Sequence, residues 1–386
     1  MIINGDSLEV LKTFEPNSID ALVTDPPYGL GNTSPANVTA CLQAWISGQD
    51  YQASGSGFMS KEWDSWVPSP NLWREVYRVL KPGAHGLVFS GSRTEDLMSI
   101  SLRLAGFEVR DRLVWLYGSG FPKSHNVSLS IDKRLGYPNR GRAIPTASQY
   151  QASDIEQKNK LTSNPVDPYE PTTEQAKKYK GFGTALKPAY EPIILIRKPL
   201  NGTIAGNVLT HGVGGLNIDD CRIGTDEQLS YSKSQKIGVT KFKTSQSSQH
   251  PNGRWPANIL INEEINDPLL KRYFYCAKTS KAEREAGLIS NESRANIHPT
   301  VKPLDLMRYL CRLITPPQGT ILEPFAGSGT TLCAAALEGF EPIGIEREAE
   351  YIEIIKARLK HWSGGRYDYT PKTNDKPKVG EQFKLF

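Results

Sequence analysis

Asp25-Pro26-Pro27-Tyr28 places a carboxylate, two prolines and an aromatic ring in four consecutive residues. Neither proline has an N–H, so both interrupt a β-ladder while their carbonyls still accept hydrogen bonds. Gly29 and Gly31 then let the backbone turn away. Such a corner offers acceptors to an amino group and a flat face to a planar ring. A nucleobase with an exocyclic –NH2 fits both. An ordinary acidic surface turn has the same composition, so a second feature has to give the corner its meaning.

That feature lies far downstream, in Ile321-Leu322-Glu323-Pro324-Phe325-Ala326-Gly327-Ser328-Gly329-Thr330-Thr331. The pattern reads strand, glycine turn, helix. The glycines permit close approach of a ligand to the backbone, and Ser328 and Thr331 can cap the helix start. A dinucleotide-binding turn has a similar shape, but Leu332 stands where its third glycine would be. Glu346 follows Ile345 at the end of the next strand, where a carboxylate can accept two ribose hydroxyls.

The elements around these motifs alternate. Ala21-Leu22-Val23 is a short buried strand that delivers the proline corner, and Asp6 or Ser7 caps a helix beginning at Leu8. Residues 30 to 62, rich in Gly, Ser, Asn and Gln, read as a long loop. Leu72, Val76, Val79 and Leu80 share a helix face closed by Lys81-Pro82-Gly83. Gly86 to Phe89 is a strand, Thr94 to Leu104 a helix, and Leu113 to Leu116 a strand. Tyr190 to Ile196, Thr320 to Leu322 and Pro342 to Ile345 are further strands; Leu304 to Ile314, Thr330 to Leu337 and Tyr351 to Leu359 are helices. The alternation predicts an α/β fold with a parallel sheet covered on both faces. Residues 122 to 185 break the rhythm with one helix candidate, Val127 to Leu135, and read as a mobile insertion.

A chain of 386 residues can bury a full core, and its net charge of +5 suits a polyanionic partner. Five cysteines, Cys41, Cys221, Cys276, Cys311 and Cys333, show no C-x-x-C spacing and read as reduced, mostly buried thiols without zinc. No stretch is expected to span a bilayer, and the N-terminus carries no leader pattern. Residues 121 to 300 hold roughly 25 Lys and Arg against about 17 Asp and Glu. There Lys233, Lys236, Lys241 and Lys243 interleave with Tyr231 and Phe242, and Arg254 precedes Trp255. A solvated face explains any one of these lysines; the region together reads as a surface that tracks DNA.

The two motifs in this order resemble the amino-methyltransferases of DNA, in the permuted β group where the catalytic motif comes first and the cofactor motif last. The resemblance implies a Rossmann-like S-adenosylmethionine-dependent methyltransferase sheet with an inserted target-recognition region. It divides the chain into a catalytic half at 1–121, the polar insertion at 122–185, a returning strand at 186–200, target recognition at 201–297, a cofactor-binding half at 298–363 and a loose tail from 364 to 386. Asp25, Pro26, Pro27 and Tyr28 are its implied catalytic residues. Asp6, Lys302, Glu323, Pro324, Phe325, Gly327, Ser328, Gly329, Thr330 and Glu346 are its implied contacts to S-adenosylmethionine. Within them, Asp6 would meet the cofactor adenine, and Lys302, in the segment His298-Pro299-Thr300-Val301-Lys302-Pro303, would approach the cofactor carboxylate. Trp63, Asp64 and Trp66, with Phe121-Pro122-Lys123, are candidate pocket walls. An acid in the first motif position is seen more often with adenine N6 than with cytosine N4, so adenine flipped out of double-stranded DNA is the expected substrate and cytosine the alternative. A nucleotide-dependent oxidoreductase, an RNA methyltransferase and an inactive DNA-binding protein are the competing classes. No metal is required. A cognate restriction nuclease and a homodimer are the further partners it admits, in the cytoplasm of a bacterium or as a phage or prophage product.

Overall fold

A computed structural model describes residues 1–31, 33–51, 53, 64–118, 124–137, 169–224, 250–262, 267–271, 274–277, 281–288, 296, 298 and 301–367. Trp63, Phe121-Pro122-Lys123, Tyr231, Lys233, Lys236, Lys241, Phe242, Lys243, Pro299, Thr300 and the tail beyond residue 367 lie outside the described residues. In chain order the strands are β1 (Ile2–Asn4), β2 (Ile19–Thr24), β3 (Leu80–Phe89), β4 (Glu108–Leu116), β5 (Tyr190–Arg197), β6 (Ile259–Asn262), β7 (Tyr275–Ala277), β8 (Thr320–Glu323) and β9 (Glu341–Glu346). The helices are α1 (Ser7–Leu11), α2 (Pro35–Ile46), α3 (Pro70–Val79), α4 (Glu95–Leu104), α5 (Val127–Arg134), α6 (Glu174–Lys177), α7 (Ile204–His211), α8 (Pro268–Lys271), α9 (Lys281–Glu285), α10 (Leu304–Ile314), α11 (Thr330–Leu337) and α12 (Ala349–Trp362).

Among the described residues the nine strands form one sheet in the order β1-β9-β8-β2-β3-β5-β4-β6-β7. The two ends of the chain therefore interlock. β1 pairs with β9, and β2 pairs with β8 through Ala21 opposite Ile321 and Leu22 opposite Leu322. Because β2 and β8 are parallel neighbours, the proline corner and the glycine turn leave the sheet side by side at its carboxyl edge. Ligands of open α/β sheets bind at that edge.

The sheet is α/β as expected, but it is not all parallel: β5 runs antiparallel to both β3 and β4. Antiparallel neighbours need no crossover helix, so the chain from β4 to β5 can leave and return at the same edge. Alternating residues of each central strand feed two cores. Ala21, Val23, Ile193 and Leu195 pack with α10, α11 and α12, while Leu22, Ile194 and Ile196 pack with Trp45, Trp73, Met98 and their neighbours on α2, α3 and α4.

Two further expectations are corrected. Residues 35 to 46 are not loop but α2, with Pro35 in its first turn and Ser34 accepting from the Asn37 amide. Cys41 and Trp45, one turn apart, are its buried face. The helix expected to close at Lys81-Pro82-Gly83 ends at Val79, and Leu80 already belongs to β3. Within residues 201 to 297, β6 and β7 extend the main sheet beyond β4. The insertion holds α5 as expected, together with α6. The buried Asp132 carboxylate ties them by accepting from Tyr169 Oη, the amides of Thr172 and Thr173, and Thr173 Oγ1. Cys41, Cys221, Cys311 and Cys333 are buried free thiols. Among the described residues no helix is long and apolar enough to cross a membrane.

Candidate active site

Beyond Thr24 the chain enters the proline corner, where Pro26 is buried and Asp25 half-buried. Two side chains hold the backbone that follows. Asp64, itself buried, accepts from the amides of Tyr28 (2.8 Å) and Gly29 (3.1 Å), and Thr94 Oγ1 donates to the Tyr28 carbonyl at 2.5 Å. Gly29 has φ +65°, and a Cβ there would lie 2.6 Å from the Val67 amide nitrogen, so the turn requires glycine. Asp64 is thus the support of the corner rather than a pocket wall alone. Trp66 is buried against Tyr51 and Cys41 as a packing residue.

Four side chains meet at the corner from three distant parts of the chain. Tyr28 Oη lies 2.8 Å from Asp25 Oδ1 and 3.0 Å from Glu191 Oε2. Lys302 Nζ donates to Asp25 Oδ2 (2.7 Å) and Tyr28 Oη (3.0 Å) and pairs with Glu191 Oε2 at 3.2 Å. Those contacts use all three ammonium protons. Lys302, expected to approach a cofactor carboxylate, is here built into the proline corner. Burial alone would lower its pKa, but the charges of Asp25 and Glu191 and their hydrogen bonds raise it. Burial and the same two acids push the Tyr28 phenol well above its ordinary range. The ammonium is charged and the phenol neutral. Glu191 escaped the sequence reading; its only signal was an acid at the mouth of a strand, just before Pro192.

The glycine turn is built differently. Gly327 and Gly329 have φ +52° and +75°, and a Cβ on Gly327 would meet His298 Nε2 at 2.8 Å. Glu346 Oε2 accepts from the Gly327 amide (2.7 Å) and Oε1 from the Glu348 amide (2.8 Å). Glu323 is buried and accepts from Thr24 Oγ1, the Phe325 amide and Thr331 Oγ1. Desolvation outweighs those donors and pushes its carboxyl up to about 8, which favours the neutral acid. Arg358, wholly buried, donates through one nitrogen to the Ser328 carbonyl (2.6 Å), Ser328 Oγ (3.0 Å) and Thr330 Oγ1 (3.0 Å). Ser7 Oγ donates to the Pro324 carbonyl, and Asp6 caps α1 by accepting from the amides of Leu8 and Glu9. Arg358 was also missed, although it falls on the apolar stripe of its helix beside Ile354 and Leu359.

Corner and turn open into one cavity of about 1570 Å³. Asp6, Asp25, Pro26, Pro27, Tyr28 and Lys302 line it together with Glu323, Pro324, Phe325, Gly327, Ser328, Thr330 and Glu346. Gly329 is instead the N-cap of α11, closed against Ile355. Among the expected DNA contacts only Arg254 is described. It pairs by backbone with Ile223, beside Trp255, which is 65% exposed and lies under the Arg222 guanidinium.

Residues 19–357 match the family model of DNA methylases that act on N6 or N4 amines. This chain belongs to that family. Its relatives include the type II methyltransferase M.HindIII of Haemophilus influenzae, 25% identical over 93% of this chain and 94% of that protein. The DNA adenine methyltransferase YhdJ of Escherichia coli is 22% identical over 93% of this chain and 82% of that protein, and the type II methyltransferase M.ScaI of Streptomyces caespitosus is 23% identical over 93% of this chain and 81% of that protein. A Thermus thermophilus DNA modification methylase solved with S-adenosylmethionine aligns over 94% of this chain and 96% of its own at 18% identity, with a TM-score of 0.41. The cofactor of the family is S-adenosylmethionine. The residues fit it: the Gly327 turn, at φ +52°, faces the cavity without a side chain, and the Glu346 carboxylate lines the same cavity beside it.

Proposed function

We propose that this DNA methylase transfers a methyl group to the exocyclic N6 amine of an adenine flipped out of double-stranded DNA. The observation that carries it is the Asp25 carboxylate, on the wall of the same cavity as the Gly327 turn. An acid at this motif position, as against serine, supports adenine over cytosine, and so does the name of YhdJ.

The lone pair of an exocyclic amine is delocalised into its ring, which makes it a poor nucleophile. Asp25 and the Pro26 carbonyl would accept the two N–H bonds and favour a pyramidal nitrogen with its lone pair free. S-adenosylmethionine supplies an electrophilic methyl group on a sulfonium, and the C–S electron pair stays with sulfur as the N–C bond forms. Asp25 then stabilises the positive charge on nitrogen until one proton leaves to solvent. Tyr28 is the ring proposed to stack on the base, and Glu346 the acceptor of the ribose hydroxyls. A base inside a duplex cannot reach this cavity, hence the flip. Arg254 and the Trp255–Arg222 pair are proposed to contact the DNA, and Lys233, Lys236, Lys241 and Lys243 to add to the binding charge.

Single-molecule sequencing of DNA from cells expressing the parent chain or Asp25→Ala tests this. N6-methyladenine in a fixed context, absent with Asp25→Ala, is the expected outcome. N4-methylcytosine instead would overturn the choice of base, and unmodified DNA in both would overturn the function.

A further inference from the structure

We infer that Glu191 is a positioning residue that balances the charge of Lys302, so that Asp25 keeps a net negative charge for the amine. This rests on the amine-methylation reading above. The network of Asp25, Tyr28, Glu191 and Lys302 contains two carboxylates, one ammonium and one neutral phenol, so its own net charge is −1. Lys302 is 10% exposed, and Asp25 and Glu191 are 22% and 21% exposed, so water screens these charges only partly. Without Glu191, Asp25 and Lys302 would form a neutral pair. A neutral pair is a poor partner for a cation developing on nitrogen.

The fold explains how the second acid arrives. β5 is the strand antiparallel to its neighbours, so its first residues, and not its last, lie at the carboxyl edge of the sheet. Glu191 is opposite Trp115 near the end of β4, and it lines the cavity with Asp25 and Lys302. A parallel strand in that place would turn its Glu191 end away from the cavity.

During transfer the nitrogen lone pair forms the N–CH3 bond, the C–S bond breaks with its pair left on sulfur, and the nitrogen carries one positive charge. With Glu191 present that charge meets a corner of net −1; after one proton leaves to solvent the product amine is neutral and the corner unchanged. The phenol has a single proton to offer two carboxylates, so it cannot neutralise either of them. The other titratable groups near the network are Asp64, whose Oδ1 is taken by the Tyr28 and Gly29 amides, Tyr117, which burial pushes up to about 12, and Glu323, held toward its neutral form. Arg93 lines the same cavity.

The test is single-turnover methyl transfer to duplex DNA with tritiated S-adenosylmethionine, with cofactor affinity measured on the same preparations. Glu191→Gln should slow transfer roughly 10- to 100-fold while cofactor affinity holds within about twofold. Adding Lys302→Met to Glu191→Gln should restore the rate about tenfold, because Asp25 alone again carries −1. Lys302→Met by itself removes the charge that Glu191 balances, so adding Glu191→Gln to it should slow transfer no more than about threefold. A Glu191→Gln rate equal to the parent, or a double variant no faster than Glu191→Gln, would each overturn the inference. If Glu191→Gln does not fold, a double variant at least about tenfold slower than Lys302→Met would overturn it. Asp25→Ala in the same series separates the two levels: at parent rate it would refute the methylation mechanism itself, whereas a slow Asp25→Ala beside an unaffected Glu191→Gln would refute only the charge balance.

Discussion

At the proline corner the polar groups are long side chains, Asp25, Tyr28, Glu191 and Lys302, that meet from distant parts of the sequence and stay charged where they can. At the glycine turn they are backbone amides held by Glu346, a carbonyl and hydroxyls held by Arg358, and an acid, Glu323, that burial drives toward neutrality. One cavity thus has a wall of concentrated charge and a wall of shaped backbone. Charge suits a reaction in which a cation develops; shaped backbone suits a ligand held by close approach. On the proposed mechanism, chemistry and holding fall to different walls.

Two substitutions would break that division if it is wrong, and they carry the largest expected effects. Asp25→Ala should cost roughly 10²–10³ in single-turnover rate, with cofactor affinity little changed. Gly327→Val should do the reverse: its Cβ would clash with His298 Nε2 and its φ of +52° suits no β-branched residue. Calorimetry should show S-adenosylmethionine affinity reduced at least about tenfold while unfolding stays cooperative, a loss of about 1.4 kcal/mol or more. Equal losses of rate and of affinity in both variants would erase the contrast.

A smaller effect sharpens the account of the glycine turn. Glu323 has a folded pKa raised from 4.5 to about 8, so the folded state holds a proton that the unfolded chain has lost between those values. The stabilisation linked to it is complete below about pH 4.5 and is lost as pH rises through about 8. Relative to Glu323→Gln, which cannot ionise, the parent should lose about 1–3 kcal/mol of stability across that window. Parallel pH curves for the two proteins in chemical unfolding would show that Glu323 does not titrate there.

The sequence made the glycine turn more legible than the corner. Gly327, Glu323 and Glu346 lie within one strand–turn–helix–strand run, where local spacing carries the geometry, and the helix after Thr330 begins where the turn predicts. The corner depends on pairings 163 and 277 residues apart, Tyr28 with Glu191 and Asp25 with Lys302, and no local period reports those. α2 was missed for a different reason: its single buried stripe is diluted by polar neighbours, so composition outweighed spacing. The antiparallel β5 was readable as a strand, but its direction follows from sheet closure and not from its residues.

The smallest effect asks whether the corner also depends on shaped backbone. Asp64 Oδ1 accepts both the Tyr28 and Gly29 amides, and the residue is 3% exposed. Asp64→Asn keeps an acceptor oxygen of the same reach but loses the charge that strengthens both bonds. The expected cost is about 0.5–1.5 kcal/mol of stability. If side-chain charge governs the corner, methyl transfer should slow only a few-fold, because Asp25, Glu191 and Lys302 keep their own partners. Asp64→Ala, which leaves two inward-facing amides without that acceptor, should cost more stability than Asp64→Asn. Thermal unfolding and single-turnover transfer on the two variants report both quantities. Should Asp64→Asn transfer methyl as slowly as Asp25→Ala while remaining folded, backbone placement would govern the corner as it does the turn, and the two walls of the cavity would work by one principle.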